Sequence, residues 1–333
     1  VKPWAKRSVL GRARFATLVL LLLSACSDDS PSILEPAGPA AERVETLWWP
    51  MFWIATGVFL VVAAMLVKTA LNGRARQDSG IDKREVSWGE PFVAIAGVFI
   101  PVLILGGVYL FSLRQMDALA GDSEGSETAI EVVGRDWWWE VRYPNGAVTA
   151  NEIHIPVGEP VEVELTTADV IHSFWVPRLQ VKTDQIPGEV NRTWLEADRP
   201  GVYRGQCAEF CGLQHANMVF YVIAEPRADY EEWLANEAAP AESTGAEGEQ
   251  IFLESSCAGC HAVRGTDAEA NLGPDLTHVA ARTTLAGVMD NTRENLLEFV
   301  RNPQDIKPGV TMPPTELSED ELEAVVDYLG GLD

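Results

Sequence analysis

Apolar and polar positions alternate in different ways along the chain, and each pattern predicts a different element. Leu47 to Val67 and Phe92 to Leu113 contain no charged residue. Each has about the 20 apolar residues that an α-helix needs to cross a bilayer. From about Thr128 the period shortens. "AIEVV", "NEIHI" and "PVEVELTT" alternate or run β-branched between Pro and Gly, which predicts short strands closing a small β-sandwich or barrel as far as "MVFYVIAEP". The acidic, Ala-rich "ANEAAPAESTGAEGE" then reads as a linker. From about Gln250 the apolar spacing becomes helical, in "ENLLEFVRN" and in "SEDELEAVVDYLG", which opens with a Ser-x-x-Glu capping box. No internal repeat is visible.

The start of the chain adds an address. Lys2, Lys6, Arg7, Arg12 and Arg14 precede "FATLVLLLLSAC", the pattern of a secretory signal. Its ending resembles a bacterial lipobox, which would make Cys26 the lipidated first residue of the mature chain. Arg74, Arg76, Lys83 and Arg84 lie between the two apolar runs, whereas Asp117, Asp122, Glu124 and Glu127 follow the second. An excess of cations marks the cytoplasmic loop, so the large C-terminal part is expected outside. Trp48, Trp49 and Trp53 then fall at the outer interface, where an aromatic belt belongs. The expected location is the bacterial inner membrane, multi-pass, with periplasmic domains. A formal net charge of -24 argues against a nucleic-acid partner and suits basic protein partners or simply a solvated acidic exterior.

The chain has five cysteines, and two of them lie in "QCAEFCGLQHANM", Gln206 to Met218. Strand-like stretches flank this segment, so it is a loop of the β domain. A disulfide is one reading in an oxidising compartment. A thioredoxin-type site would have two residues between its cysteines, and structural zinc would take Cys2His2. Soft sulfur with imidazole and thioether suits copper. His172 in "DVIHSFWVP" supplies a second imidazole beside His215. Cys207 and Cys211 can bridge two copper ions, with one imidazole on each; Met218 sulfur and a main-chain carbonyl complete the set.

"DVIHSFWVPRLQVKTDQIPG" followed by "YRGQCAEFCGLQHANM" resembles cytochrome c oxidase subunit II with its binuclear CuA centre. The resemblance implies His172, Cys207, Cys211, His215 and Met218 as side-chain ligands and Glu209 as the carbonyl ligand. It also implies that the Glu209 carboxylate helps hold Mg2+ at the border with subunit I. The implied fold is a transmembrane α-helical hairpin carrying a cupredoxin Greek-key barrel.

Cys257, Cys260 and His261 form "CAGCH", the attachment signature of haem c. An electron-transfer haem commonly takes a distal methionine. Met312 in "GVTMPP" is favoured, as in monohaem cytochromes c, over Met289, whose stretch could be helical. In "GPDL" the resemblance implies that the Pro274 carbonyl accepts the haem histidine N–H. His154 and His278 carry no motif and read as surface or packing residues. The whole is similar to the fused subunit II of caa-type oxidases, in which tethering raises the effective concentration of the donor.

Two further sites follow from the resemblance. In "GRDWWWEVRYP" Trp137 matches the tryptophan at which electrons arrive from cytochrome c, although Arg135-Asp136 and Trp138 depart from the family pattern. On a strand Trp137 and Trp139 would share one face. Glu85 in "REVSW" resembles the glutamate at the opening of a proton channel, with Glu90 as a rival.

The expected division is a lipoprotein signal at 1–25, a linker at 26–45 and the hairpin at 46–116. An all-β CuA domain at 117–235, a linker at 236–247 and an all-α class I cytochrome c domain at 248–333 follow. The expected function is an oxidase subunit taking electrons from cytochrome c or an upstream complex through haem c and CuA to subunit I, for oxygen reduction coupled to proton pumping. The alternative is a copper-carrying membrane lipoprotein for oxidase assembly, which would need neither hairpin nor haem.

Overall fold

The computed structural model describes residues 31–76, 89–120, 129–242 and 245–333. Cys26 and Glu85 lie outside them. Helix α1 (Pro39–Arg76) carries the first apolar run. The second runs through α2 (Gly89–Ala94), a π turn (Ile95–Phe99) and α3 (Ile100–Ala120). Both are long and apolar enough to cross a membrane. Their large side chains, such as Phe59 and Leu105, stand exposed rather than in a protein core.

Two five-stranded sheets form the β domain. The first contains β1 (Ala129–Arg135), β2 (Trp138–Arg142), β3 (Val148–Ala150), β5 (Val161–Thr167) and β8 (Asn191–Leu195). The second contains β4 (Glu152–Pro156), β6 (His172–Trp175), β7 (Thr183–Gln185), β9 (Gly201–Cys207) and β10 (Val219–Glu225). Parallel pairing of β1 with β5 and of β4 with β10 closes a Greek-key sandwich. Alternation decides what faces inward. In β5 Val161, Val163 and Leu165 are buried; in β9 Tyr203 and Cys207 are, with Gly205 between them on the same face. A Cβ on Gly205 would lie 2.2 Å from Cζ of Phe220, so only glycine lets that ring cross the strand.

The hairpin is fixed to this domain at both ends. Ahead of α1, the Ala37 amide donates to the Arg178 carbonyl and the Asp198 amide to the Ala37 carbonyl. In the last turn of α3, the Leu119 carbonyl accepts from Trp194 Nε1. Helix α4 (Arg227–Ala238) follows β10 and runs into the stretch expected as linker. Its Tyr230 and Trp233 pack on the β core, and that burial accounts for an ordered helix there.

The C-terminal domain holds α5 (Glu247–Glu254), a hairpin of β11 (Thr284–Leu285) and β12 (Met289–Asp290), α6 (Arg293–Arg301), α7 (Pro303–Ile306) and α8 (Glu319–Leu329). The capping box forms: Ser318 Oγ accepts from the Glu321 amide, and Glu321 accepts from the Ser318 amide. Met289 lies in the hairpin, not in a helix, because Gly287 (φ 72°) turns the chain just before it.

Candidate metal and haem centres

The strand pattern delivers the copper-loop residues to one end of the second sheet. Cys207 is the last inward position of β9 and pairs with Phe174 of β6, two residues after His172. Met218 precedes β10 on the inward register of Phe220 and Val222 and is fully buried. The loop between them folds back over this end. Cys207 Sγ lies 3.8 Å from Cys211 Sγ, 4.0 Å from His172 Nδ1 and 3.1 Å from the Glu209 carbonyl. Cys211 Sγ lies 3.6 Å from His215 Nδ1 and 3.7 Å from Met218 Sδ. Both cysteines are free thiols, which removes the disulfide reading.

These distances put two sulfurs between two imidazole nitrogens, with a thioether and a carbonyl beside them. That donor set fits soft copper, and the presence of the carbonyl and thioether disfavours closed tetrahedral zinc. Both histidines present Nδ1 to the sulfurs. His172 Nε2 is 2.7 Å from Asp169 Oδ1, whose other oxygen accepts from the Asp136 amide at 2.7 Å. A carboxylate behind the imidazole fixes its ring and raises its basicity. Burial works against a charged His172, yet Asp169 and Cys207 hold its pKa up to about 9. The Cys207 thiol is pulled down to about 3, chiefly by the Cys211 Sγ–H and against burial, while the same contact pushes Cys211 up. The pair thus shares a proton that metal binding would release. Asp169 stands three residues before His172 in "DVIH", a helper readable only once strand β6 is placed.

The Trp137–Trp139 run divides three ways. Trp139 is fully buried, its ring centroid 5.0 Å from Phe220 and 6.1 Å from His172. Trp138 stacks under the Arg135 guanidinium, 5.5 Å from its carbon. Trp137 shares no face with Trp139, because it sits in the turn between β1 and β2. Its Nε1 donates to the Cys211 carbonyl at 2.8 Å. A Cβ on Gly212 would be 3.1 Å from Cζ2 of this indole, and one on Gly309 would be 3.8 Å from Cη2. Trp137 is therefore wedged between the copper loop and a loop of the C-terminal domain.

In that domain Cys257, Cys260 and His261 form the turn after α5. His261 Nδ1 is 2.8 Å from the Pro274 carbonyl, leaving Nε2 free for iron. A Cβ on Gly273 would be 2.5 Å from His261 Cε1, so glycine is needed where the chain lies against the ring. Cys257 and Met312 pack on the same core, as does Met289. These residues fit a covalent haem c. The Glu209 carboxylate is exposed, 3.9 Å from Lys182 Nζ. His154 and His278 are both buried: His154 stacks on Trp233, and His278 lies 3.0 Å from the Ala239 carbonyl.

A β-sandwich with convergent soft donors, joined to a helical domain with a CxxCH turn, defines an electron-transfer protein. Comparison with known proteins narrows the class. The family described as "Cytochrome C oxidase subunit II, periplasmic domain" matches residues 147–225, and "Cytochrome c" matches 245–333. Cytochrome c oxidase subunit 2 of Alkalihalophilus pseudofirmus is 36% identical over 330 residues, covering 95% of this chain and 94% of that protein. The corresponding protein of Bacillus subtilis is 32% identical, covering 95% of each. The periplasmic domain of subunit II of cytochrome oxidase from Bradyrhizobium japonicum is 31% identical, covering 34% of this chain and 94% of that one, with a TM-score of 0.33. The chain belongs to the cytochrome c oxidase subunit 2 family. It carries the C-terminal cytochrome c domain of the fused form and is a subunit of a haem–copper oxidase.

Proposed function

We infer that electrons enter this subunit at haem c, pass Trp137 to a two-copper centre and leave for subunit I, where oxygen is reduced to water and protons are pumped. The observation that carries this reading is the place of Trp137, bonded to the Cys211 carbonyl and in contact range of Gly309, three residues before Met312. When bound, copper and haem supply one-electron redox chemistry. The protein's part is to hold their ligands still. Cys207, Cys211, His172, His215, Met218 and the Glu209 carbonyl would hold the two copper ions. Cys257, Cys260, His261 and Met312 would hold the haem, with Pro274 orienting His261. Electron tunnelling falls steeply with distance, so a half-buried indole in contact with both loops favours transfer.

The hairpin fits a multi-pass inner-membrane protein with both redox domains periplasmic, the basic residues 74–84 marking the cytoplasmic side. The exposed Glu209 carboxylate, beside Lys182, would join groups of subunit I around Mg2+. Glu85 would sit at the cytoplasmic opening of a proton path. Cytochrome c or an upstream respiratory complex would be the donor.

Electron paramagnetic resonance of the half-reduced protein tests the copper assignment. A hyperfine pattern from two equivalent nuclei is expected, and a four-line single-copper pattern would overturn it. Replacing Cys207 should abolish the signal, since that thiolate would be a ligand of the centre.

A further inference from the structure

The haem domain meets the β domain across a polar face that includes charged groups of both. Between 248 and 333 there are sixteen Asp and Glu but five Lys and Arg. Three of those five cations face the β domain. Arg264 donates to the carbonyls of Gly146 and Glu237, at 2.9 and 2.5 Å. Arg282 lies in the field of Glu152 and Glu237. Lys307, 2% exposed, donates to the Trp137 carbonyl at 2.8 Å and to the Ala286 carbonyl at 3.0 Å. A domain that merely swung on a linker would keep its scarce cations in water, because burying a charge is costly unless it is bonded.

The opposite sign appears on the same face, beside Arg282. Glu152, 3% exposed on β4, accepts from the amides of Thr283 and Thr284 at 2.8 and 3.1 Å and from the Thr283 hydroxyl. Hydrogen bonds to a buried carboxylate are among the stronger kind. Close backbone approach supports the contact. A Cβ on Gly287 would fall 2.4 Å from the Val219 carbonyl oxygen, and one on Gly309 would fall 2.7 Å from Leu213 Cδ2. Gln214, beside His215, donates to the Pro308 carbonyl at 2.6 Å.

We propose that Glu152 and Lys307 are positioning residues that lock the haem domain in one docked place over Trp137, so that the haem-to-copper step needs no search by a tethered domain. The lock rests on the electron-carrier reading above for its purpose, though not for its geometry. Burial pulls the Lys307 pKa down to about 8, so it still carries its charge at neutral pH and can donate to both carbonyls. With the domain held there, a soluble donor would have to deliver electrons to the haem domain, since the half-buried Trp137 lies against the Gly309 loop.

Amide hydrogen exchange on the intact oxidase reads the lock directly. In the parent the 283–288 hairpin should be protected. Glu152→Ala and Lys307→Met should each raise its exchange at least tenfold while α8 stays protected, which separates undocking from unfolding. Glu152→Gln, which keeps an acceptor oxygen, should retain most of the protection. Photo-injection of electrons into the haem gives the second reading. Transfer to copper should be independent of added glycerol in the parent. It should become slower and viscosity-dependent in Glu152→Ala and Lys307→Met, with haem and copper spectra unchanged. Viscosity-dependent transfer in the parent, which needs no variant, would overturn the lock. So would parent-like exchange and transfer in both variants. Absence of any haem-to-copper transfer in the parent would overturn instead the carrier reading beneath it.

Discussion

The copper end of the β domain and the haem end of the C-terminal domain solve the same task with different amounts of scaffold. The β domain gathers 25 buried residues into one cluster, and the copper-loop side chains are members of it: Cys207, Cys211 and Met218. Its donor atoms are held by strand register and lie within 4.0 Å of their sulfur partners. The C-terminal domain gathers 13, with Cys257 and Met312 packed at its margin. A small domain with so few core residues is marginal by itself and depends on a staple or cofactor. Copper would thus be added to a core that is already complete, whereas haem would itself supply part of its domain's core.

The largest expected effect breaks this contrast at the haem end. Cys257→Ser with Cys260→Ser should abolish covalent haem and with it the fold of the domain, seen as loss of exchange protection in α8. Cys207→Ser should abolish copper binding but leave the β sheets protected, at a cost limited to the binding-linked stabilisation. Protection of α8 in the haem-free chain would make the two domains equivalent. Met312→Ala is expected to leave haem attached but remove the sulfur-to-iron absorption band of the oxidised form. Should Met289→Ala remove it and Met312→Ala keep it, the distal ligand is misassigned.

Smaller effects sharpen the comparison. Asp169→Asn keeps the shape but loses the carboxylate behind His172, so copper affinity should fall about 10- to 100-fold, as read by competition with a chelator. An unchanged affinity would mean that strand register alone orients the ring. Ser318→Ala removes half of the α8 capping box and should cost about 1 kcal/mol, measured by thermal unfolding, with no effect on the copper domain.

Much of this was legible in the sequence because local patterns carry it. Period-two alternation marked β5, and strand-like flanks placed the copper loop in the β domain, although Cys207 itself ends strand β9. Ser318 and Glu321 announced the start of α8, and the two apolar runs announced α1 and α3. What was not legible depends on partners distant in sequence. Lys307 meets the Trp137 carbonyl across 170 positions and Glu152 meets Thr283 across 131; no spacing rule encodes either. Trp137 sits in a turn where alternation does not apply, and helix α4 is ordered by Tyr230 and Trp233 packing on a sheet already formed. Met289 was misread because the left-handed Gly287 breaks the helical run before it.

Trp137→Ala tests most directly the claim that the two regions are joined through this side chain. In the intact oxidase, electrons injected photochemically into the haem would be timed as they reach copper, with Trp138→Ala as the control. Slowing by an order of magnitude or more in Trp137→Ala, with unchanged copper and haem spectra and little change in Trp138→Ala, is the predicted result. Transfer at the parent rate in Trp137→Ala would contradict it and leave this tryptophan a packing residue of the interface.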